Sequence, residues 1–165
     1  MQDAQTQDVA STADQYLTFL LGDEEYGVEI LNVQEIKSWG PCTPLPRAPR
    51  HLLGVINLRG AIVPIIDLRR RFGLDDATYD STTAIIIVRS EEEDQVRIVG
   101  LVVDRVSEVY HLDRATIQDN ADVAGTVQGN FIRGLGQIED KMIILLDLGP
   151  VVGSSLDGVT VPEAA

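Results

Sequence analysis

Two stretches of this chain are echoed further along it, in the same order. Gly27 to Ile36, GVEILNVQEI, aligns without gaps on Gly100 to Val109, GLVVDRVSEV, pairing Gly27 with Gly100, Val33 with Val106 and Glu35 with Glu108. Gly54 to Leu68, GVINLRGAIVPIIDL, aligns on Gly134 to Leu148, GLGQIEDKMIILLDL, pairing Gly54 with Gly134, Asp67 with Asp147 and Leu68 with Leu148. Each match has few identities, but two in the same order point to a duplicated unit. With 165 residues in all, either copy alone is too short for a comfortable core. The copies are therefore expected to be small β units that share one continuous fold.

The remaining signals are those of short strands. QYLTFLL (Gln15 to Leu21), TTAIIIV (Thr82 to Val88), VRIVGLVV (Val96 to Val103) and KMIILL (Lys141 to Leu146) are apolar runs bounded by polar turns. GDEE (Gly22 to Glu25) and SEEED (Ser90 to Asp94) read as hairpin loops. Helix is limited to a turn or two. DLRRRFG has Asp67 as N-cap and Gly73 just past the end, DLGPV from Asp147 is a weaker start, and Ala48 to Leu53 makes another turn. Arg69, Arg70 and Arg71 are expected to form a solvated face that complements the helix C-terminus. Residues 1–14 and Ser154 to Ala165 are polar and aperiodic, and read as tails.

The longest apolar runs, Ala61 to Ile66 and Ile98 to Val103, are six residues, against the roughly 20 that a membrane-spanning helix needs. The N-terminal residues carry no Lys or Arg and no apolar centre, unlike a signal peptide. Cys42 is the one cysteine, which excludes an internal disulfide framework and suits a reducing, cytoplasmic compartment. Asp and Glu number 26 against 13 Lys and Arg, for a formal net charge of −13. Such a surface repels phosphate backbones and anionic lipid, which argues against binding nucleic acid or inserting into a membrane.

In a duplicated chain, function is expected where the copies differ. Arg59-Gly60-Ala61 aligns on Glu139-Asp140-Lys141, and both triplets read as polar hairpin tips between apolar strands. Only the first tip joins an arginine to a glycine. The guanidinium offers a planar fork of donors to a carboxylate or carbonyl, and glycine lets a partner's backbone come close. Glu35 is the natural counter-ion. It lies in NVQEI, where Val33 and Ile36 cannot both be buried on one alternating strand, so a bend or bulge is expected. A Glu35–Arg59 pair is the hypothesis that follows.

QYLTFLLGDEEYGVEILNVQEI, GVINLRGAIVPIIDLRRRFG and VGLVVDRVSEV, in this order, closely resemble the bacterial chemotaxis coupling proteins of the CheW family. The likeness runs from about Gln15 to Val152. Its specificity lies in the combination of EEYGVEI, VQEI, NLRG and PIIDL at these spacings. The resemblance implies an all-β fold of two intertwined five-stranded β-barrels, similar to SH3 domains, with few short helical turns. It implies one domain over 15–152, built from related subdomains of roughly 15–80 and 81–152 with strand exchange between them left open; the tails, 1–14 and 153–165, are not family motifs.

The functional implication is a non-catalytic adaptor without cofactor or metal, monomeric when free and part of a larger array at the inner membrane. Such proteins bridge the cytoplasmic helical tip of methyl-accepting chemoreceptors to the regulatory domain of the histidine kinase CheA. The family's receptor contact is assigned to a groove between the barrels. Carried over by motif, this puts Val33, Glu35, Asn57, Leu58, Arg59 and Gly60 at or near the receptor surface. Kinase contacts use barrel ends, and the motifs do not place them on this chain. The Pro-rich WGPCTPLPRAPR (Trp39 to Arg50) is a loop of the kind that varies between members. An adaptor of a different chemosensory system, such as surface sensing or pilus motility, would carry the same motifs.

The best enzymatic candidates are Asp67 and Asp147, each at the end of an apolar strand. Carboxylates from duplicated halves are the arrangement of a shared-proton dyad. Leu68 and Leu148 follow them, where an aspartic protease has a hydroxyl residue and then glycine, and helix N-caps account for both. A hydrolase is therefore the remote reading. His51 and His111 sit in no metal-ligand spacing, GLGQIE lacks the third glycine of a dinucleotide motif, and EEED has the wrong spacing for calcium.

Overall fold

The computed structural model describes residues 15–75, 78–119 and 129–159; the expected tail at 1–14 lies outside them. The strands are β1 (Gln15–Leu21), β2 (Glu24–Glu29), β3 (Val33–Ser38), β4 (Leu52–Leu58), β5 (Ala61–Asp67), β6 (Ala84–Glu92), β7 (Gln95–Val103), β8 (Arg105–His111), β9 (Gln118–Asp119), β10 (Ile132–Ile138) and β11 (Lys141–Leu146). Helix α1 (Leu68–Arg71) follows β5, and α2 (Leu148–Ser155) follows β11.

One sheet runs β8-β1-β2-β11-β10-β9 and the other β3-β6-β7-β5-β4. Under the internal echo β2 corresponds to β7, β3 to β8, β4 to β10 and β5 to β11. Apart from the two-residue β9, the two orders are therefore the same. Each sheet has one parallel pairing, β2 with β11 and β5 with β7, again at corresponding places. These are the two five-stranded SH3-like barrels. They interlock because the chain leaves the first sheet after β2, through a 3-10 turn at Ile30–Asn32, and places β3 against β6. It returns at Asp104 and places β8 against β1. No cut near residue 80 separates the barrels. The second is built from 33–103, and the first from 15–29 together with 105–146.

Burial explains why the central strands read as unbroken apolar runs. The largest core gathers Leu17, Phe19 and Leu21 of β1, Tyr26 and Val28 of β2, Ile86 and Val88 of β6, and Val99, Leu101 and Val103 of β7. It lies between the sheets. The alternate residues Ile85, Ile87 and Val102 join Val63 and Ile65 inside the second barrel. Tyr16, Leu112, Ile143 and Leu145 fill the first. Both faces of these strands are dry, so the usual apolar–polar alternation is lost. An aromatic series, Phe19–Tyr26–Phe72–Phe131 with centroids 5.8–6.0 Å apart, runs through the shared core.

The paired glycines of the echo have steric reasons. A Cβ on Gly100 would stand 2.7 Å from Ile65 Cδ1 and from Ile85 Cγ2, and one on Gly27 would stand 3.2 Å from Leu145 Cδ2 and 3.3 Å from Ile143 Cγ2. Both sit where a barrel interior has no room. Gly54 and Gly134 lie at matching irregularities of the β4–β5 and β10–β11 ladders. There a Cβ would meet the backbone, at 2.2 Å from the Thr43 carbonyl oxygen and 2.5 Å from that of Gln118.

Local expectations fail in several places, among them the Gly22 to Glu25 loop, which is cut to two residues because β2 begins at Glu24. Ser90 to Asp94 is not a loop: β6 and β7 pair out to Glu92–Gln95, leaving Glu93 and Asp94 as a two-residue turn with φ of 52° and 62°. The helix from Asp147 is the longer of the two, at eight residues, because Leu148, Val151 and Val152 pack into the shared core. The stretch expected to be a tail from 153–154 is therefore ordered packing as far as Val159, which with Leu156 lies against that core. The three arginines are no common solvated face. Arg69 binds Asp104 and the Asp75 carbonyl, and Arg71 donates to Ser154 and Ser155 Oγ and lies 4.6 Å over the Phe131 ring. The helix is so short that all three side chains reach neighbouring elements.

Candidate docking site

The hairpin joining β4 to β5 turns on two residues, Arg59 (φ 51°) and Gly60 (φ 89°). Positive φ at both central positions is what a type I′ turn needs, and it matches the right-handed twist of the flanking strands. Asn57 Oδ1 accepts the Gly60 N–H at 2.9 Å and holds the tip closed. Glu139 in the related hairpin is also left-handed, at 53°. The backbone shape thus belongs to the duplicated unit, and the arginine to this copy.

Arg59 Nη1 lies 2.8 Å from Glu35 Oε1, with side chains 74% and 27% exposed. Glu35 is on β3 and Arg59 directly follows β4, and these strands occupy opposite edges of the second sheet. The ion pair therefore bridges the two edges. Glu35 reaches this position through the expected irregularity: the β3–β6 register shifts between Val33 and Glu35. Val33 packs against the shared core, while Ile36 is left 47% exposed. The first barrel has Glu108 and Glu139 at the corresponding places, two carboxylates that cannot pair with each other. The fold does not require the ion pair.

Of the six residues singled out in the sequence, Asn57, Arg59 and Gly60 are exposed, and Glu35 is half-buried beside Arg59. Val33 and Leu58 are also half-buried, but they pack against the shared core and the second barrel's interior respectively. A hollow of about 350 Å³ lies between the barrels, lined by Ile36, Lys37 and Ser38 of β3, residues 81–84, and Arg105 and Val106 of β8. None of the six lines it, because Glu35 and Ile36 are consecutive on a strand and face opposite ways. Ile36 and Leu31, the latter 63% exposed, are surface groups that sequence reasoning did not assign. The conflict between Val33 and Ile36 was their one signal.

Asp67 and Asp147 have unlike surroundings in different sheets. Asp67 is 5% exposed. Its Oδ1 accepts the Arg69 and Arg70 N–H groups, and its Oδ2 accepts the Tyr79 hydroxyl at 2.5 Å. Asp147 is exposed and makes no side-chain cap bond, so the expected second N-cap is not formed. Instead its backbone N–H donates to the Phe131 carbonyl, as that of Asp67 does to His51. His51 Nε2 lies 2.8 Å from the Ser155 carbonyl oxygen, a structural bond that ties the segment before β4 to α2. Among the described residues no three His, Cys, Asp or Glu side chains converge on a metal position, and no helix is long and apolar enough to cross a membrane.

Fold and surface together define a twin-barrel protein that displays a charged hairpin tip. Residues 15–155 match the model of the CheW-like domain, and the chain belongs to that family. It is 39% identical over 144 residues to the chemotaxis protein CheW of Klebsiella aerogenes, covering 87% of this chain and 84% of the relative. It is 41% identical over 138 residues to that of Rhizobium meliloti, covering 84% and 86%. Among solved structures it resembles the scaffolding protein TtCheW from Thermoanaerobacter tengcongensis, with a TM-score of 0.76 and 36% identity over 84% of this chain and 92% of that one.

Proposed function

We propose that this protein is a non-catalytic adaptor of bacterial chemotaxis, coupling the cytoplasmic tips of chemoreceptors to a CheA-type histidine kinase. It works in the cytoplasm, at receptor arrays, with 15–152 acting as one unit. The observation that carries the reading is the Arg59–Glu35 pair on a closed hairpin tip, placed where the sister barrel has two carboxylates, in a chain of the CheW-like family.

A receptor tip is a helical hairpin, so its complement is an apolar surface with a few directional polar anchors. Arg59 supplies the direction. Its guanidinium, oriented by Glu35, keeps free donors for a receptor carboxylate or carbonyl. Gly60 has open space where a Cβ would stand, so a helix backbone can come close. Asn57 fixes the tip, while Val33 and Leu58 brace it from behind. Contacts of this size are individually weak, about micromolar, and an array adds avidity.

The test is co-sedimentation with receptor-containing membranes, with and without the kinase. Wild type is expected to sediment only when receptor is present, and Arg59→Glu to lose most of that binding while keeping its fold. Equal sedimentation without receptor would refute the adaptor reading.

A further inference from the structure

Tyr79 stands in the segment that leads from α1 to β6, and it holds one residue with its ring and another with its hydroxyl. The ring stacks on Trp39, with centroids 4.2 Å apart and planes 22° from parallel. The hydroxyl donates to Asp67 Oδ2 at 2.5 Å. Asp67 is buried, and its Oδ1 accepts the Arg69 N–H at 3.0 Å. The Arg69 guanidinium in turn binds both oxygens of Asp104, which also accepts the Gly22 N–H. Trp39, Tyr79, Asp67, Arg69, Asp104 and Gly22 are thus joined contact by contact, from the second barrel to the β1–β2 turn of the first.

Trp39 moves with the strand that carries Glu35. Glu35, Lys37 and Trp39 are alternate positions, so they share one face. Glu35 and Lys37 pair with Ile87 and Ile85 of β6, which lie inside the second barrel, and Trp39 packs against that same cluster. Its N–H donates to the Thr83 carbonyl at 3.1 Å, which carries the β3–β6 alignment one residue past the strand.

The related barrel has no such chain of contacts. Under the internal echo, extended by a few residues, Trp39 corresponds to Leu112, Asp104 to Leu31 and Arg69 to Gly149. Asp147, the counterpart of Asp67, makes no side-chain cap bond. The repeated unit folds without these contacts, and the copy that has them is the copy that carries Arg59.

We propose that Tyr79 is a positioning residue for signal coupling. Through Trp39 and Asp67 it ties the strand that carries Glu35 to Asp104 at the crossover, so that binding at the Arg59 tip alters the Gly22 turn on the other barrel. Packed side chains and hydrogen-bond networks are what carry energetic coupling between distant sites. The coupling is reciprocal, so a change at Asp104 also reaches Trp39. The Tyr79 hydroxyl is the sensitive link, because it gives a buried carboxylate a charge-assisted hydrogen bond. This inference rests on the adaptor reading in one respect, that a chemoreceptor is what binds at Arg59.

The experiment is NMR of the nitrogen-labelled full chain, alone and with the cytoplasmic-tip fragment of a chemoreceptor. It reads the Gly22 amide, the Arg69 Nε–H and the Trp39 indole N–H. Tyr79→Phe keeps the ring and removes the hydroxyl; Trp39→Leu breaks the chain at its other end and keeps the test if Tyr79→Phe does not fold. In wild type, receptor binding is expected to shift the Gly22 and Arg69 signals. In each variant that shift should fall about threefold or more, with receptor affinity within about twofold of wild type. Asp104→Asn should move the Trp39 indole signal. Ile65→Val, which opens a small cavity inside the second barrel, should lower stability and leave the receptor-induced shift as it is. A Gly22 signal that receptor does not move in wild type, or moves equally in both variants, overturns the role of Tyr79 and leaves the adaptor reading standing. So does an equal loss of the shift in Ile65→Val, or a Trp39 signal blind to Asp104→Asn. Failure of wild type to bind the fragment overturns both.

Discussion

Arg69 grips Asp104 with two hydrogen bonds, Nε to Oδ1 at 2.8 Å and Nη2 to Oδ2 at 2.6 Å. Asp104 is the single residue between β7 and β8, where the chain passes from one barrel to the other. It also accepts the Gly22 N–H at 2.8 Å, from the β1–β2 turn of the first barrel. Arg69 belongs to α1, on the second. One carboxylate thus fastens both barrels at their crossover.

Burial alone would raise the Asp104 pKa, but the hydrogen bonds from Arg69 and Gly22 and the Arg69 charge outweigh it and hold the carboxyl below the ordinary range. A carboxylate depressed in the folded state contributes its stability above the unfolded value, near 3.9. That contribution is lost as pH falls through the folded value. Asp104→Asn is expected to cost about 1–3 kcal/mol at pH 7, the side chain being partly exposed. The gap between wild type and variant should narrow from about pH 5 downward. Urea unfolding across that range checks it, and parallel profiles would show that Asp104 does not anchor the crossover.

Charge reversal separates pairing from partner contact at the hairpin tip. Because Arg59 is largely exposed, breaking its pair with Glu35 should cost less than about 1 kcal/mol of stability. Arg59→Glu and Glu35→Arg should each lower receptor co-sedimentation severalfold. If Glu35 acts by orienting Arg59, the double variant should bind no worse than Arg59→Glu alone, because the donor fork that Glu35 positions is already gone. A further loss, additive over the two single variants, would mean that each side chain meets the receptor independently.

The corresponding aspartates should respond unequally. Asp67→Ala removes a cap that accepts two backbone N–H groups and the Tyr79 hydroxyl, at a cost of about 2 kcal/mol. Asp147→Ala removes an exposed side chain without a cap bond and should stay within about 0.5 kcal/mol of wild type. Thermal unfolding of the two variants measures the contrast. Equal losses would restore the symmetric role that the sequence suggests.

Gly100→Ala should destabilise more than Gly27→Ala. The added methyl at 100 meets two isoleucines at 2.7 Å, while that at 27 meets side-chain ends at 3.2 and 3.3 Å. Overpacking of this kind costs about 1–3 kcal/mol, so a shift of the denaturant midpoint is the readout. The reverse order would mean that the first barrel is the tighter of the two.

Much of the local structure was legible. β1 and β11 begin and end where their apolar runs do, at Gln15–Leu21 and Lys141–Leu146. Asp67 caps α1, and Gly73 follows it with φ 76°. The irregularity near Glu35 was readable because two apolar residues three apart cannot share one face of a flat strand. Arg59 was readable because its counterpart differs. Missed were the extension of β6 into an acidic sequence, the bonds of Arg69 and Arg71, and the bare Asp147. Each depends on what stands opposite. The acidic end of β6 is strand because its ladder with β7 continues, and Arg71 is held by serines 83 and 84 positions away.

The sequence by itself determined the repeated unit: its strands, its turns, its tight glycines and the family to which it belongs. These follow from side-chain periodicity and backbone preference over a few residues, which neighbours in the chain are enough to set. Tertiary structure alone decided that β3 and β8 trade places, that Glu35 meets Arg59 across the edges of a sheet, and that Asp104 locks the crossover. Those outcomes join groups far apart in the chain, and their energies exist only once the two barrels have closed around a shared core.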